Sequence, residues 1–107
     1  MKQPIMNFIW LIILNSNLYN CIKYLGTYTF AMTVQSTESL GRGQEYTVTL
    51  DKNYPTARFG IINYDINGDW VIINLKEWKD TQHPVLTYQN FYSSALSGNV
   101  SIHIYGN

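Results

Sequence analysis

The sequence predicts an all-β fold, a small antiparallel β-sandwich of about six strands with a short helical or apolar segment at its N-terminus. Residues 27–35 alternate strictly, with Tyr28, Phe30, Met32 and Val34 on one face and Thr27, Thr29, Ala31 and Thr33 on the other. Strand-like stretches separated by turn residues recur at roughly ten-residue spacing. The long run 59–75 is interrupted only at Asn67-Gly68, the dipeptide that best fits the two φ > 0 positions of a tight hairpin turn.

Two units follow, an N-terminal segment 1–26 and a β-domain 27–107. Ile5 to Leu14 is nearly all apolar but too short to cross a bilayer as a helix, which needs about 20 residues. It has the length of a signal-peptide core, and Cys21 stands where a lipid-anchor motif would put a cysteine, although Asn20 before it is not small. The other readings are a buried or oligomer-facing segment, or a reading frame opened too far upstream. Leu14, Leu18, Cys21, Ile22 and Leu25 recur at helical spacing, and Gly26 is placed to end such a helix.

Beyond the first strand, residues 36–44 read as a loop, and 45–50 as a strand with Tyr46, Val48 and Leu50 inward. Residues 51–55 form a turn. The run 56–75 reads as a hairpin pairing Ile66 with Asp69, Tyr64 with Val71 and Ile62 with Ile73. Its core face is Ile62, Tyr64, Ile66, Val71, Ile73 and Leu75, and Gly68→Val is expected to cost about 1 kcal/mol or more. Residues 76–84 read as a polar loop, 85–89 as a short strand, and 90–99 as a loop. The last strand, 100–105, turns Val100, Ile102 and Ile104 inward.

The totals narrow the function. Lys+Arg and Asp+Glu are 7 each, so the formal charge is zero, which argues against nucleic acid, whose binding rests on phosphate neutralisation. Charged residues are only 13% and aromatics 15%, a balance that favours burying a further face by self-association. A single cysteine forms no internal disulfide. Asp65-Ile-Asn67-Gly-Asp69 copies half of a calcium loop, but Trp70 and Lys76 stand where Gly and Glu belong, so neither a metal nor any other cofactor is expected. No nucleophile, base or carboxylate pair falls at a telling spacing, and no enzyme is expected.

Tyr54, Trp70, Trp78, Tyr88, Tyr92 and Tyr105 lie at loop edges or outward positions, where rings beside amides and carboxylates suit sugar recognition. They would equally cover a sheet or fill a subunit interface. The densest mixture, Trp78, Asp80, Gln82 and His83 with Asn90 and Tyr92 from the following loop, is the candidate ligand site.

Leu14-Asn-Ser-Asn-Leu18 followed by a strand-rich stretch resembles the tip of a bacteriophage tail fibre, a short neck and then a compact β-head. The runs Tyr46-Thr-Val-Thr-Leu, Tyr54-Pro-Thr-Ala-Arg-Phe, Leu86-Thr-Tyr-Gln-Asn-Phe and Val100-Ser-Ile-His-Ile-Tyr are similar to H-type lectin-like domains. The resemblance implies a homotrimer at the virion tail whose partner is a host-surface glycan or receptor. The trimer would be held by Leu14, Leu18, Ile22 and Leu25 with one face of the β-domain. The alternative is a non-catalytic structural or secreted β-domain with no ligand, secreted or at the cell surface and anchored through its N-terminal apolar segment, touching a membrane only if that segment is a signal or anchor.

Overall fold

A computed structural model describes residues 22–107 as six strands in two three-stranded antiparallel sheets. In chain order these are β1 (Lys23–Val34), β2 (Gln44–Thr47), β3 (Ala57–Asp65), β4 (Val71–Asp80), β5 (His83–Asn90) and β6 (Leu96–Gly106). One sheet has the order β1-β6-β3, the other β2-β5-β4. First pairs with last and second with fifth, the winding of a jelly roll built from six strands instead of eight. The all-β sandwich expected from the alternation is therefore present.

The inward residues of both sheets meet in one core. Met32 and Val34 of β1, Val100, Ile102 and Ile104 of β6, Val71 and Ile73 of β4 and Leu86 of β5 are buried there, with Ile66, Val48, Leu50 and Tyr54 from the connections. Each such aliphatic side chain stabilises the fold by about 1.5–3 kcal/mol.

The expected hairpin at Asn67-Gly68 is absent. β3 pairs with β6, and β4 pairs with β5, so the chain crosses from one sheet to the other between Asp65 and Val71. The crossing needs one left-handed residue, Asn67 at φ 38 and ψ 51, followed by a 3-10 turn over Gly68–Trp70. Gly68 itself has no positive φ. The predicted core face survives, with Ile66, Val71 and Ile73 buried and Ile62, Tyr64 and Leu75 half-buried. Alternation fixes which side faces the core, whether the partner lies beside the strand or across the sandwich. The Tyr64 hydroxyl spans the gap, donating to the Val71 carbonyl at 3.0 Å.

The tight hairpin is elsewhere. Asp80 pairs with His83, so Thr81 and Gln82 alone join β4 to β5. Residues 76–80 and 83–84, read as loop from their polarity, are strand. Register shifts between Leu75 and Glu77 and between Trp78 and Asp80 break the alternation there, which hides the strand from a period-two reading. Likewise Leu96–Asn99 belong to β6 and leave a loop of residues 91–95.

Two further expectations are corrected. Lys23–Gly26, assigned to the end of a helix, are the start of β1, and the register shifts between Tyr24 and Gly26. The rest of that helical stripe, Leu14, Leu18 and Cys21, lies outside the described residues. Tyr46, expected inward, is 40% exposed and stacks on Phe30 with centroids 6.0 Å apart. Beyond Thr47 the ladder continues irregularly, Val48 N donating to the Pro84 carbonyl and Leu50 N to that of Gln82.

Candidate functional site

The antiparallel winding sends alternate connections to opposite ends. Val34 pairs with Leu96, Asp65 with Asn99 and Val71 with Asn90, so residues 35–43, 66–70 and 91–95 gather at one end. The other end carries Lys23, Gly106, residues 48–56 and the Thr81-Gln82 turn.

This arrangement divides the candidate ligand site. Trp78, Asp80, Gln82 and His83 lie at the Lys23 end, whereas Asn90 and Tyr92 lie at the three-loop end. His83 and Asn90 bound β5, a separation of roughly 23 Å at a strand's rise per residue.

At the Lys23 end the polar groups clasp the turn. The Asp80 carboxylate accepts from Gln82 N at 2.9 Å and from His83 Nδ1 at 2.7 Å. Gln82 Nε2 donates to the Leu50 carbonyl at 3.0 Å, and Tyr54 N to that of Thr81 at 2.8 Å. Trp78 packs against the core beside a small cavity shared with Tyr54, Pro55 and Ala57. Tyr54 and Tyr88 also face the core, not solvent.

The Gln82 amide, and after it the His83 ring, hold the Asp80 carboxyl below the usual carboxylate range. A depressed carboxyl stabilises the fold fully above its unfolded pKa of about 4, and that part is lost as pH falls through the folded value. Asp80→Asn is therefore expected to lose less Tm than the parent protein between about pH 5 and pH 2. The difference is small, because the group is exposed and solvent-screened. Parallel Tm curves for the two proteins would count against it.

At the three-loop end one buried side chain ties the loops together. Asn90 is wholly buried, and its Nδ2 donates to the Val34 carbonyl at 3.1 Å and the Ser94 carbonyl at 3.0 Å. Its Oδ1 accepts from Tyr92 N at 2.9 Å. Its backbone N–H reaches the Thr37 hydroxyl, and Thr37 N returns a bond to the Asn90 carbonyl, both at 2.9 Å. Phe91 N donates to the Trp70 carbonyl at 2.8 Å, which brings in the crossing segment. Ser36 Oγ donates to the Tyr92 carbonyl.

The braced loops present a ring pair to solvent. Trp70 is 43% and Tyr92 39% exposed, with centroids 5.3 Å apart and planes inclined by 51°. Phe91 and Leu40 are exposed at the same end. Asn90 is thus the internal brace of the surface, and Tyr92 is on it. Trp70 was legible only as an outward ring beside a turn. Nothing in the sequence placed it against Tyr92, because that contact needs the crossing between sheets. Among the described residues no cluster of His, Cys, Asp and Glu is placed to hold a metal ion.

The outer faces of the two sheets differ. On β1-β6-β3 the polar groups bond one another: Thr29 with Ser101 at 2.7 Å, Thr33 with Ser97 at 2.9 Å, and Thr27 with His103 at 2.9 Å. That face ends in an aromatic corner where Tyr105 stacks on Phe59 at 5.2 Å and meets Tyr24 edge-on at 5.7 Å. Compared with known proteins, the chain matches no family model, no curated protein and no solved structure.

Proposed function

We propose that this chain is a non-catalytic recognition domain that binds a host-surface glycan or receptor, as the tip of a phage tail fibre or a related adhesin. The observation that carries the reading is the exposed Trp70–Tyr92 pair on loops locked together by buried Asn90. Rings held open to solvent on a rigid scaffold stack on the apolar face of a sugar, with little ordering entropy lost on binding. Asn67 and Asp69 beside Trp70, and Ser93 and Ser94 beside Tyr92, supply polar groups for hydroxyls. β1 starts at the opposite end, at Lys23, away from this surface. A jelly-roll winding recurs in viral and lectin domains, a likeness of architecture that adds to the reading only by analogy.

Trp70→Ala with Tyr92→Ala is expected to lower binding to a glycan array, or adhesion to glycan-bearing cells, at least tenfold. Stability should fall by about 1–2 kcal/mol, because both rings are more than half covered and touch each other, and binding is compared on folded protein. Undiminished binding by the double variant would overturn the proposal, as would no glycan bound by the parent protein.

A homotrimer at the virion tail belongs to the same reading. The outer face of β1-β6-β3 suits burial between subunits, because its hydroxyls are already paired and lose little on leaving water. Its corner adds exposed apolar surface from Tyr24, Phe59 and Ile61, and Ile22, just before β1, is exposed as well. Leu25, expected in the trimer contact, instead packs on the domain's own core. Three weak sites on one particle would gain by multivalency what each lacks alone. Light scattering at micromolar concentration is expected to give three chain masses, and a single chain mass would reject the trimer.

A further inference from the structure

The outer face of the second sheet is unlike the first. A shallow depression crosses it, lined by Gly43, Glu45, Ile72, Asn74, Thr87 and Gln89. The register sets these in rows across the strands. Gln89 lies beside Ile72, and in the next row Thr87 lies between Asn74 of β4 and Glu45 of β2. Gly43 borders Gln89 on the far side; a Cβ there would come within 3.4 Å of Gln89 Cγ. The missing side chain keeps that side of the depression open.

Hydrogen bonding here is left incomplete. Lys76 Nζ donates to Glu45, and Gln44 Nε2 to the Gly43 carbonyl. Among the described residues, the side-chain amides of Asn74 and Gln89 and the Thr87 hydroxyl have no such partner. Lys76 also cancels the one carboxylate on the lining, so the depression carries no net charge. Trp70 and Phe91, whose backbones are bonded, follow along the chain just beyond the Ile72–Gln89 and Val71–Asn90 pairs. From Trp70 to Asn74 along the strand is roughly 13 Å.

We propose that this depression is an extended subsite for a short neutral oligosaccharide. The first ring lies on Trp70, and the following rings run down the strands over Ile72 towards Asn74, Thr87 and Glu45. The inference rests on the recognition reading and adds to it the ligand's length, direction and charge. Uncommitted amides and a hydroxyl beside an apolar side chain match a chain of hydroxylated rings with apolar faces. The absence of net charge selects against sialylated or sulfated glycans, for which no cationic clamp is offered.

The test is an NMR titration of the full chain with maltotriose, cellotriose and triacetylchitotriose, each beside its monosaccharide. At least one trisaccharide is expected to bind tenfold or more tightly than its monosaccharide and to shift the amides of Asn74, Thr87 and Gln89. Asn74→Ala with Gln89→Ala should lower that trisaccharide's affinity to the monosaccharide level and leave the monosaccharide unchanged. Equal affinity for the two lengths, with shifts confined to Trp70 and Tyr92, would overturn the subsite and keep the recognition reading. Binding to none of the three, or tighter binding of a sialylated trisaccharide run in parallel, would also overturn it. The recognition reading falls separately, on the array result with the Trp70 and Tyr92 variants.

Discussion

Gly98→Ala is expected to destabilise the domain by about 3 kcal/mol, the upper end for a side chain forced into filled space. Gly98 lies in β6 opposite Met32, at the point where the chain leaves β3 for the other sheet. A Cβ at Gly98 would strike the Asp65 carbonyl oxygen and come 2.8 Å from Ile66 Cγ1. The obstacle is backbone, so no rotamer change relieves it. Gly106 makes the corresponding allowance for Thr56 at the other end of the strand. Gly68→Ala is the control: its Cβ would meet nothing within 4 Å, and a change within about 0.5 kcal/mol is expected. A tight hairpin at Asn67-Gly68 predicts the reverse order. Urea unfolding of the two variants separates the geometries, and a Gly68 variant less stable than the Gly98 one would refute the crossing.

Trp78→Ala is expected to cost about 3–4 kcal/mol, as for other aromatics packed on a core. The ring closes the end of the sandwich against the core, beside Tyr54 and Ala57. Its Nε1 is buried with no acceptor among the described residues, so the indole carries an uncompensated desolvation. Trp78→Phe removes that N–H along with part of the ring, and the two effects oppose; a loss under about 1.5 kcal/mol is expected. Thermal or denaturant unfolding of both variants reads this out. A stable Trp78→Ala protein that no longer adheres to glycan-bearing cells would instead make Trp78 a ligand contact.

Facing was legible in the sequence and pairing was not. Period-two alternation put Met32, Val34, Val71, Ile73, Val100, Ile102 and Ile104 inside, and all are buried. A side chain's face is a local property of a strand. The partner of β3 is decided instead by the whole sandwich, and Asn67 serves a crossing as readily as a hairpin. The real hairpin, at Thr81-Gln82, has no Gly, Asn or Pro in its turn to announce it. Residues 76–80 read as loop because their polarity is high and their alternation is broken by bulges. In the candidate site, Asn90 has the composition of a ligand contact and the geometry of a brace. Short amides at strand ends do either, and only its burial distinguishes the two.

The place of β6 bears on how the domain is made. It is the middle strand of its sheet and the last of the six in the chain, pairing Lys23 with Gly106 and Ala57 with the same residue. Among the described residues, β1 and β3 therefore have no neighbour in their sheet until residues 96–106 leave the ribosome. Their ladders then close loops spanning much of the chain, a high contact order that slows folding. Until that moment β1, long and with Lys23 its one charged side chain, has both of its edges open in a nascent polypeptide, and afterwards only one. Ribosome-stalled chains ending before Leu96 should thus be sensitive to protease and prone to clump, while chains released after Gly106 resist both.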